Sequence, residues 1–327
     1  PNVVPVIDSK ESVLYAKSRV DASMIDFYVQ AGISKGLQCT ELTEALDMTE
    51  NGADAFGDGY KNLWHSGMLL KSLQYLQHTD KVLITQPYDK HLNAHGLVHE
   101  GAVSTQNGIS GIPSMVEDMA VARDIELLKY AGGKLHFAQV SSGESVEMIR
   151  QAKKVGLNVT CGVNYFNLIE TEEALSEFDS NNKIYPPLRT DKDRKALLKG
   201  VMDGVIDVVV SNHRPHEMDS KKMEFNYTEF GKLGLQTMFI ALKTKTELSD
   251  EVLQKVLVSN PRLILGKQPA TISDGAEANF FLYTETPYKF IKDEIVSLSK
   301  NTSEIDEIYD YKIQGVIKGT NIRTFED

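Results

Sequence analysis

LHFAQVSSGESVEMIRQAKKVGLNVTCGVN, residues 135–164, holds the pattern on which the fold turns. Two β-rich segments, 135–141 and 158–164, flank a helical segment whose apolar residues recur at three- and four-residue spacing. The helical part closes at Gly156, a residue free to adopt the positive φ that ends a helix and turns the chain back. Strand, helix, strand implies two parallel strands joined by a right-handed crossover.

The same alternation runs outward in both directions. MIDFYVQ (24–30), ADAFGD (53–58), KVLITQ (81–86) and IDVVVSN (206–212) read as further strands, and SMVEDMAVARDIELLKYAG and DKDRKALLKGVMDG as further helices closing at Gly132 and Gly204. In the first of these helices Met115, Met119, Ala122, Ile125 and Leu128 form one apolar stripe, with Met115 and Met119 read as core. The strands are nearly continuous in apolar character, which suits strands covered on both faces, in a β/α barrel or a doubly wound sheet. No GxGxxG loop opens a helix, so dinucleotide binding has little support and a TIM-type barrel is the preferred reading. In such a barrel, reactive groups sit at the C-terminal strand ends. Here those ends are Gln30, Asp58, Gln86, Gln139, Asn164 and Asn212, a mouth rich in amides and poor in ionisable groups. After Leu265 the helical periodicity fades. The segments 270–284, 294–299 and 311–317 read as strands of a β appendage, dividing the chain into a barrel over 1–266 and an appendage over 267–327.

Composition narrows the function. The chain has 327 residues, 41% hydrophobic and 25% charged, with a formal net charge of −11, values of an ordinary globular chain with a large core. No block of Lys and Arg offers the concentrated basic surface that nucleic acid requires. Cys39 and Cys161 lie far apart without metal spacing, which suits a reduced, cytoplasmic setting. There is neither a membrane-length apolar run nor a signal pattern, and Pro1 in place of Met points to a start within a longer chain.

The motifs PNVVPVIDS, GISKGLQCTEL, ADAFGDG, HEGAVSTQNGISGIP, VARDIEL, YPPLR, SNHRPH, FGKLGLQT, SNPRLILG and ISDGAEANFFLY stand in order along nearly the whole chain. Together they resemble dihydroorotase of the amidohydrolase superfamily, the branch found as, or beside, multifunctional pyrimidine-pathway complexes. The resemblance implies a barrel that hydrolyses dihydroorotate to carbamoyl aspartate and runs the reverse reaction. Zinc there polarises a carbonyl and supplies hydroxide, and an aspartate at the last barrel strand moves the proton. The family's HxH ligand pair would precede Pro1, together with the first two barrel strands.

Against that pattern, Asp58 in AFGDG keeps the family's carboxylate while Gly59 replaces an acidic neighbour. Gln86 stands where the family has a histidine in an IEHCED-like strand end, and Gln139 where it has the histidine of AHVS. Asn212 stands where it has the aspartate of DHAPH. A primary amide offers zinc only a neutral oxygen of low basicity, and Asn212 cannot accept a proton. No cofactor is therefore expected, and no catalytic residue. The resemblance further assigns substrate contacts to Asn2, His216 and Gly231, and puts Tyr185 where a substrate-binding asparagine is usual.

Each of these residues also has a structural reading. Asp58 serves equally as a turn or helix cap. His213 and His216 form HxxH without a glutamate, which favours hydrogen-bonded histidines; His136 reads as packed inside, and His91, His95 and His99 as surface or loop-pinning. Arg189 either closes a loop by a salt bridge or serves the site. Two functions follow: a zinc-free dihydroorotase-like protein with a structural or regulatory role, its partner aspartate transcarbamoylase or a second copy of itself, or an active cyclic amidohydrolase that uses zinc at an atypical site.

Overall fold

The computed structural model describes residues 1–20, 24–92 and 95–325. Its strands are β1 (Gln30–Ala31), β2 (Ala55–Phe56), β3 (Leu83–Thr85), β4 (Val98–His99), β5 (Gly111–Ile112), β6 (Leu135–Phe137), β7 (Val159–Asn164), β8 (Val208–Val210), β9 (Asn279–Lys289), β10 (Ile308–Lys318) and β11 (Asn321–Thr324). Six of them form one parallel sheet in the order β1-β2-β3-β6-β7-β8, which is the wall of a β/α barrel. All six coincide with segments read as strands from sequence. They are shorter than those segments, because the polar ends leave the ladder to turn over the mouth. Residues 24–30 contribute only Gln30 to β1.

The unit at residues 135–164 shows how local sequence builds this wall. Leu135 lies opposite Val159, and Phe137 opposite Cys161, in parallel register. Between the strands, the helix Gly143–Lys154 starts at Ser142, whose hydroxyl accepts from the backbone N–H groups of Glu144 and Ser145. Val146, Ile149 and Ala152 form its buried face. Burying a side chain the size of Ile149 contributes about 1.5–3 kcal/mol. Gly156, Gly132 and Gly204 all take positive φ where their helices end.

The longest of these helices, Met115–Ala131, buries a different face from the apolar stripe. Met115 and Met119 are each 50% exposed, and Ala122 also faces out. The inward face is Val116, Glu117, Ala120, Val121, Asp124 and Leu128. Two carboxylates disguise that face as polar. Glu117 accepts from the backbone N–H groups of Ser141 and Ser142, and Asp124 pairs with Arg123 at 2.6 Å. Burial pushes the Asp124 carboxyl up to about 7 despite the adjacent guanidinium.

Beyond the helix Asn260–Ile264, β9, β10 and β11 form an antiparallel sheet in the order β11-β10-β9. Residues 294–299, read as a strand from sequence, instead follow a 3-10 turn at Lys292–Glu294 without pairing to any strand. Val296 and Leu298 accordingly lie exposed. The appendage is tied to the barrel through buried Glu304, which accepts from the hydroxyls of Tyr165 (2.9 Å), Thr237 (2.8 Å) and Tyr309 (2.9 Å). Among the described residues, no helix is long and apolar enough to cross a membrane.

Candidate functional site at the barrel mouth

The strand ends carry their polar side chains to one rim. Gln139, past β6, donates from Nε2 to Asn212 Oδ1 (3.1 Å), across the top of β7. Asn212, past β8, donates from Nδ2 to the carbonyl of Tyr185 (3.0 Å). Gln86, past β3, approaches the Gln139 carbonyl at 3.4 Å. Gln86, Gln139 and Asn212 thus form a hydrogen-bonded belt of neutral amides from β3 to β8. The belt is incompletely satisfied: Gln139 Oε1, together with Asn164 Nδ2 and Gln30 Nε2 at neighbouring strand ends, is buried without a partner. Each such group costs about 1–3 kcal/mol. Asn212 also holds a left-handed backbone, with φ of 44°, in which asparagine is tolerated better than most residues.

Asp58 is 1% exposed, and both of its oxygens are committed. Oδ1 accepts from the backbone N–H groups of Ile33 (3.1 Å) and Ser34 (3.0 Å), and Oδ2 accepts from the Ser34 hydroxyl. Burial raises its pKa, and these three bonds pull in the opposite direction. Its carboxylate closes the loop after β1. Asn2 is committed as well: Nδ2 donates to the Asp58 carbonyl (3.1 Å), and Oδ1 accepts from Tyr60 N–H (3.0 Å). Gly59, at φ of 63°, is required here, since a Cβ would lie 1.8 Å from Asn2 Oδ1.

The remaining candidate residues hold loops together. His216 Nε2 donates to the Phe230 carbonyl (2.9 Å), and His213 Nδ1 accepts from the N–H groups of Gly234 and Leu235 (3.3 Å each). Gly231 donates to the Lys183 carbonyl, and its own carbonyl accepts from Lys221 Nζ (3.0 Å). The Tyr185 ring stands edge-on to Tyr88 and Phe230, filling the space beside the belt. His136 is buried with Nδ1 bonded to Thr160 Oγ1 (2.8 Å). His91 lies edge-on to Trp64, while His99 is a buried residue of β4 beside Arg189, and not a surface histidine. It is buried because β4 pairs with β5 in a small parallel ladder that the sequence did not signal.

Burial lowers the pKa of His136 to about 4, with Lys153 adding to the effect. A histidine kept neutral in the folded state stabilises fully above the unfolded value of about 6.5, and that contribution is lost as pH falls from there toward about 4. Urea unfolding of wild type and His136→Gln at pH 7.5 and pH 5 is expected to show the stability difference shrinking by about 2 kcal/mol at the lower pH. An unchanged difference would place His136 outside the acid response.

The salt bridge that one sequence reading gave Arg189 is present, and its partner Glu117, on a distant helix, is what the sequence did not name. Arg189 and Glu117, with side chains 2% and 5% exposed, meet at 3.5 Å. Arg189 also donates to Ser141 Oγ (2.7 Å) and Ser114 Oγ (3.1 Å). The only local signal was the pair Ser141-Ser142 after β6, which supplies the N–H groups that Glu117 caps.

This donor set does not suit zinc. Catalytic zinc generally has about three protein ligands drawn from imidazole, thiolate and carboxylate. At this rim three former ligand positions are amides engaged with one another or with backbone, and the fourth is a carboxylate without a free oxygen. Among the described residues, no group of three or more His, Cys, Asp or Glu side chains is placed to hold a metal ion.

Comparisons with known proteins agree on the scaffold. Residues 1–145 match the family model described as Dihydro-orotase-like. A protein named dihydroorotase from Syntrophus aciditrophicus is 37% identical over 289 residues, covering 85% of this chain and 66% of that protein. Another of that name, from Caldanaerobacter subterraneus subsp. tengcongensis, is 34% identical over 326 residues, covering 98% of this chain and 74% of its own length. The chain therefore spans about two-thirds to three-quarters of these relatives. Among solved structures, an L-hydantoinase from Arthrobacter aurescens superposes with a TM-score of 0.83 at 20% identity, over 99% of this chain and 77% of the other. A D-hydantoinase gives 0.77 at 15% identity, over 96% and 73%. These structures share the fold.

Proposed function

The chain belongs to the dihydroorotase family of pyrimidine biosynthesis, and we propose that it is a member whose barrel mouth holds no zinc and does not hydrolyse dihydroorotate. The carrying observation is the amide belt. Gln139 Nε2 donates to Asn212 Oδ1 where the family's chemistry needs a ligand and a proton acceptor. Two further features support the reading. Asn2 and Gly231 have their polar groups hydrogen-bonded within the chain, and the Tyr185 ring stands edge-on to Phe230. The role left to such a barrel is structural or regulatory, with aspartate transcarbamoylase or a second copy of the chain as partner.

The names of the relatives favour a second reading, an active dihydroorotase, at 34% and 37% identity over most of the chain. That reading needs metal ligands other than the four rim positions. One experiment separates the two. Protein purified with zinc in every buffer, then dialysed, is expected to carry zinc far below one equivalent. It is also expected to form no carbamoyl aspartate from dihydroorotate above the rate without protein. Stoichiometric zinc with turnover would establish the second reading.

A further inference from the structure

We propose that Arg214 makes the rim of the barrel a binding site for a small oxyanion, a carboxylate or a phosphate, which the chain holds without converting it. The absence of conversion rests on the metal-free reading above, whereas the binding does not.

The arginine is built into the rim. Its backbone N–H donates to the Lys232 carbonyl (3.0 Å), and its carbonyl accepts from Asn301 Nδ2 (3.0 Å). Asn301 Oδ1 also accepts from His216 N–H (3.1 Å), so one buried amide fixes both residues. The aliphatic part of Arg214 lies over Gly231, where a Cβ would come within 2.8–2.9 Å of its Cβ, Cγ and Cδ. The guanidinium ends over the Tyr60 ring, 4.6 Å from its centroid. Tyr60 follows β2 and Arg214 follows β8, so this contact joins the loops after the second and the last strands of the sheet order.

The charge itself is unanswered. The chain has 46 acidic against 35 basic residues, and the guanidinium groups of Arg123, Arg150, Arg189, Arg194 and Arg262 each reach a carboxylate. Arg214 is only partly exposed, yet no side chain or carbonyl among the described residues accepts from its guanidinium. Its field falls on His216 and Lys221, whose pKa values it helps to lower. The Lys221 ammonium gives two of its three donors to the Glu229 and Gly231 carbonyls and adds positive potential. Beneath the rim lie neutral amides, and the Asp58 carboxylate is buried and capped, while Glu229 acts on the same His216 and Lys221 with the opposite sign. A guanidinium stacked on an aromatic ring keeps its N–H edge free, and that edge matches the two oxygens of a carboxylate or phosphate.

Isothermal titration at low ionic strength, with malonate and inorganic phosphate as separate probes, tests the site. Saturable binding of at least one probe is expected below about 10 mM. Arg214→Ala is expected to weaken it about tenfold or more, and Arg214→Lys by less, since charge survives without the planar fork. Equal melting temperatures would show that the variants fold. Preference for malonate identifies a carboxylate ligand, and preference for phosphate a phosphorylated one. No saturation by either probe, or equal affinity in Arg214→Ala, would overturn the proposal. Zinc content measured on the same samples keeps the tests apart: zinc-loaded protein with Arg214-dependent binding would reject only the metal-free reading, and zinc-free protein without binding would reject only this one.

Discussion

Restoring the ligand chemistry through Gln86→His, Gln139→His and Asn212→Asp together should convert the mouth from negligible zinc occupancy to near one equivalent at micromolar metal. The three residues already lie together, Gln86 donating to the Gln139 backbone carbonyl and the Gln139 side chain to Asn212. Replacing two amides by imidazoles and the third by a carboxylate provides the three protein ligands that zinc centres use. A gain on the order of 5 kcal/mol in zinc binding is expected, measurable by competition with a chromogenic chelator. Turnover should stay low in the same variant. Asn2 and Gly231 keep their internal hydrogen bonds, and the Tyr185 ring still stands against Phe230 and Tyr88. Unchanged zinc affinity would mean that the mouth has lost its geometry as well as its ligands. High turnover would mean that Tyr185 is no obstacle.

The second large effect concerns stability. Glu117→Ala should destabilise the fold by about 3–5 kcal/mol in urea unfolding, because it leaves a buried guanidinium without its counter-charge. Glu117 Oε1 accepts from the N–H groups of Ser141 (2.8 Å) and Ser142 (2.9 Å), and Oε2 from the Ser141 hydroxyl. Arg189 leans on the same carboxylate and the same hydroxyl. Alanine would orphan two backbone donors and one charge, in the turn that carries Gln139. Glu117→Gln should cost less, since an amide oxygen can still accept from the backbone. A loss under about 1 kcal/mol for alanine would show that water or a shifted Arg189 replaces the carboxylate.

Local periodicity made much of the fold legible. Alternation of β-rich and helical segments placed all six barrel strands, because strand and helix registers are set by neighbours two to four residues apart. It failed where apolar character misreported burial. The Met115–Met119 stripe faces solvent because the opposite face carries Glu117, whose charge is tolerable inside only with partners distant in sequence, and Asp124, which pairs with its neighbour Arg123. Residues 294–299 alternate like a strand, but a strand exists only where another strand pairs with it, and pairing is a property of the assembled sheet.

For the site, the replacement of imidazole and carboxylate by amides at residues 86, 139 and 212 could be read from residue identity, because ligand chemistry belongs to the side chain itself. Where those side chains direct their hydrogen bonds could not. Asp58 might have been a free ligand or a cap, and the N–H groups of Ile33 and Ser34 decide for the cap. Asn2 might have faced the mouth, and instead it is engaged by Asp58 and Tyr60. Arg214 carried no role in the sequence, and only the structure places its guanidinium over Tyr60. Secondary structure and donor type are local properties, written residue by residue. Partner, burial and free charge depend on which distant strand end lies a few ångströms away, and closure of the barrel brings those ends together.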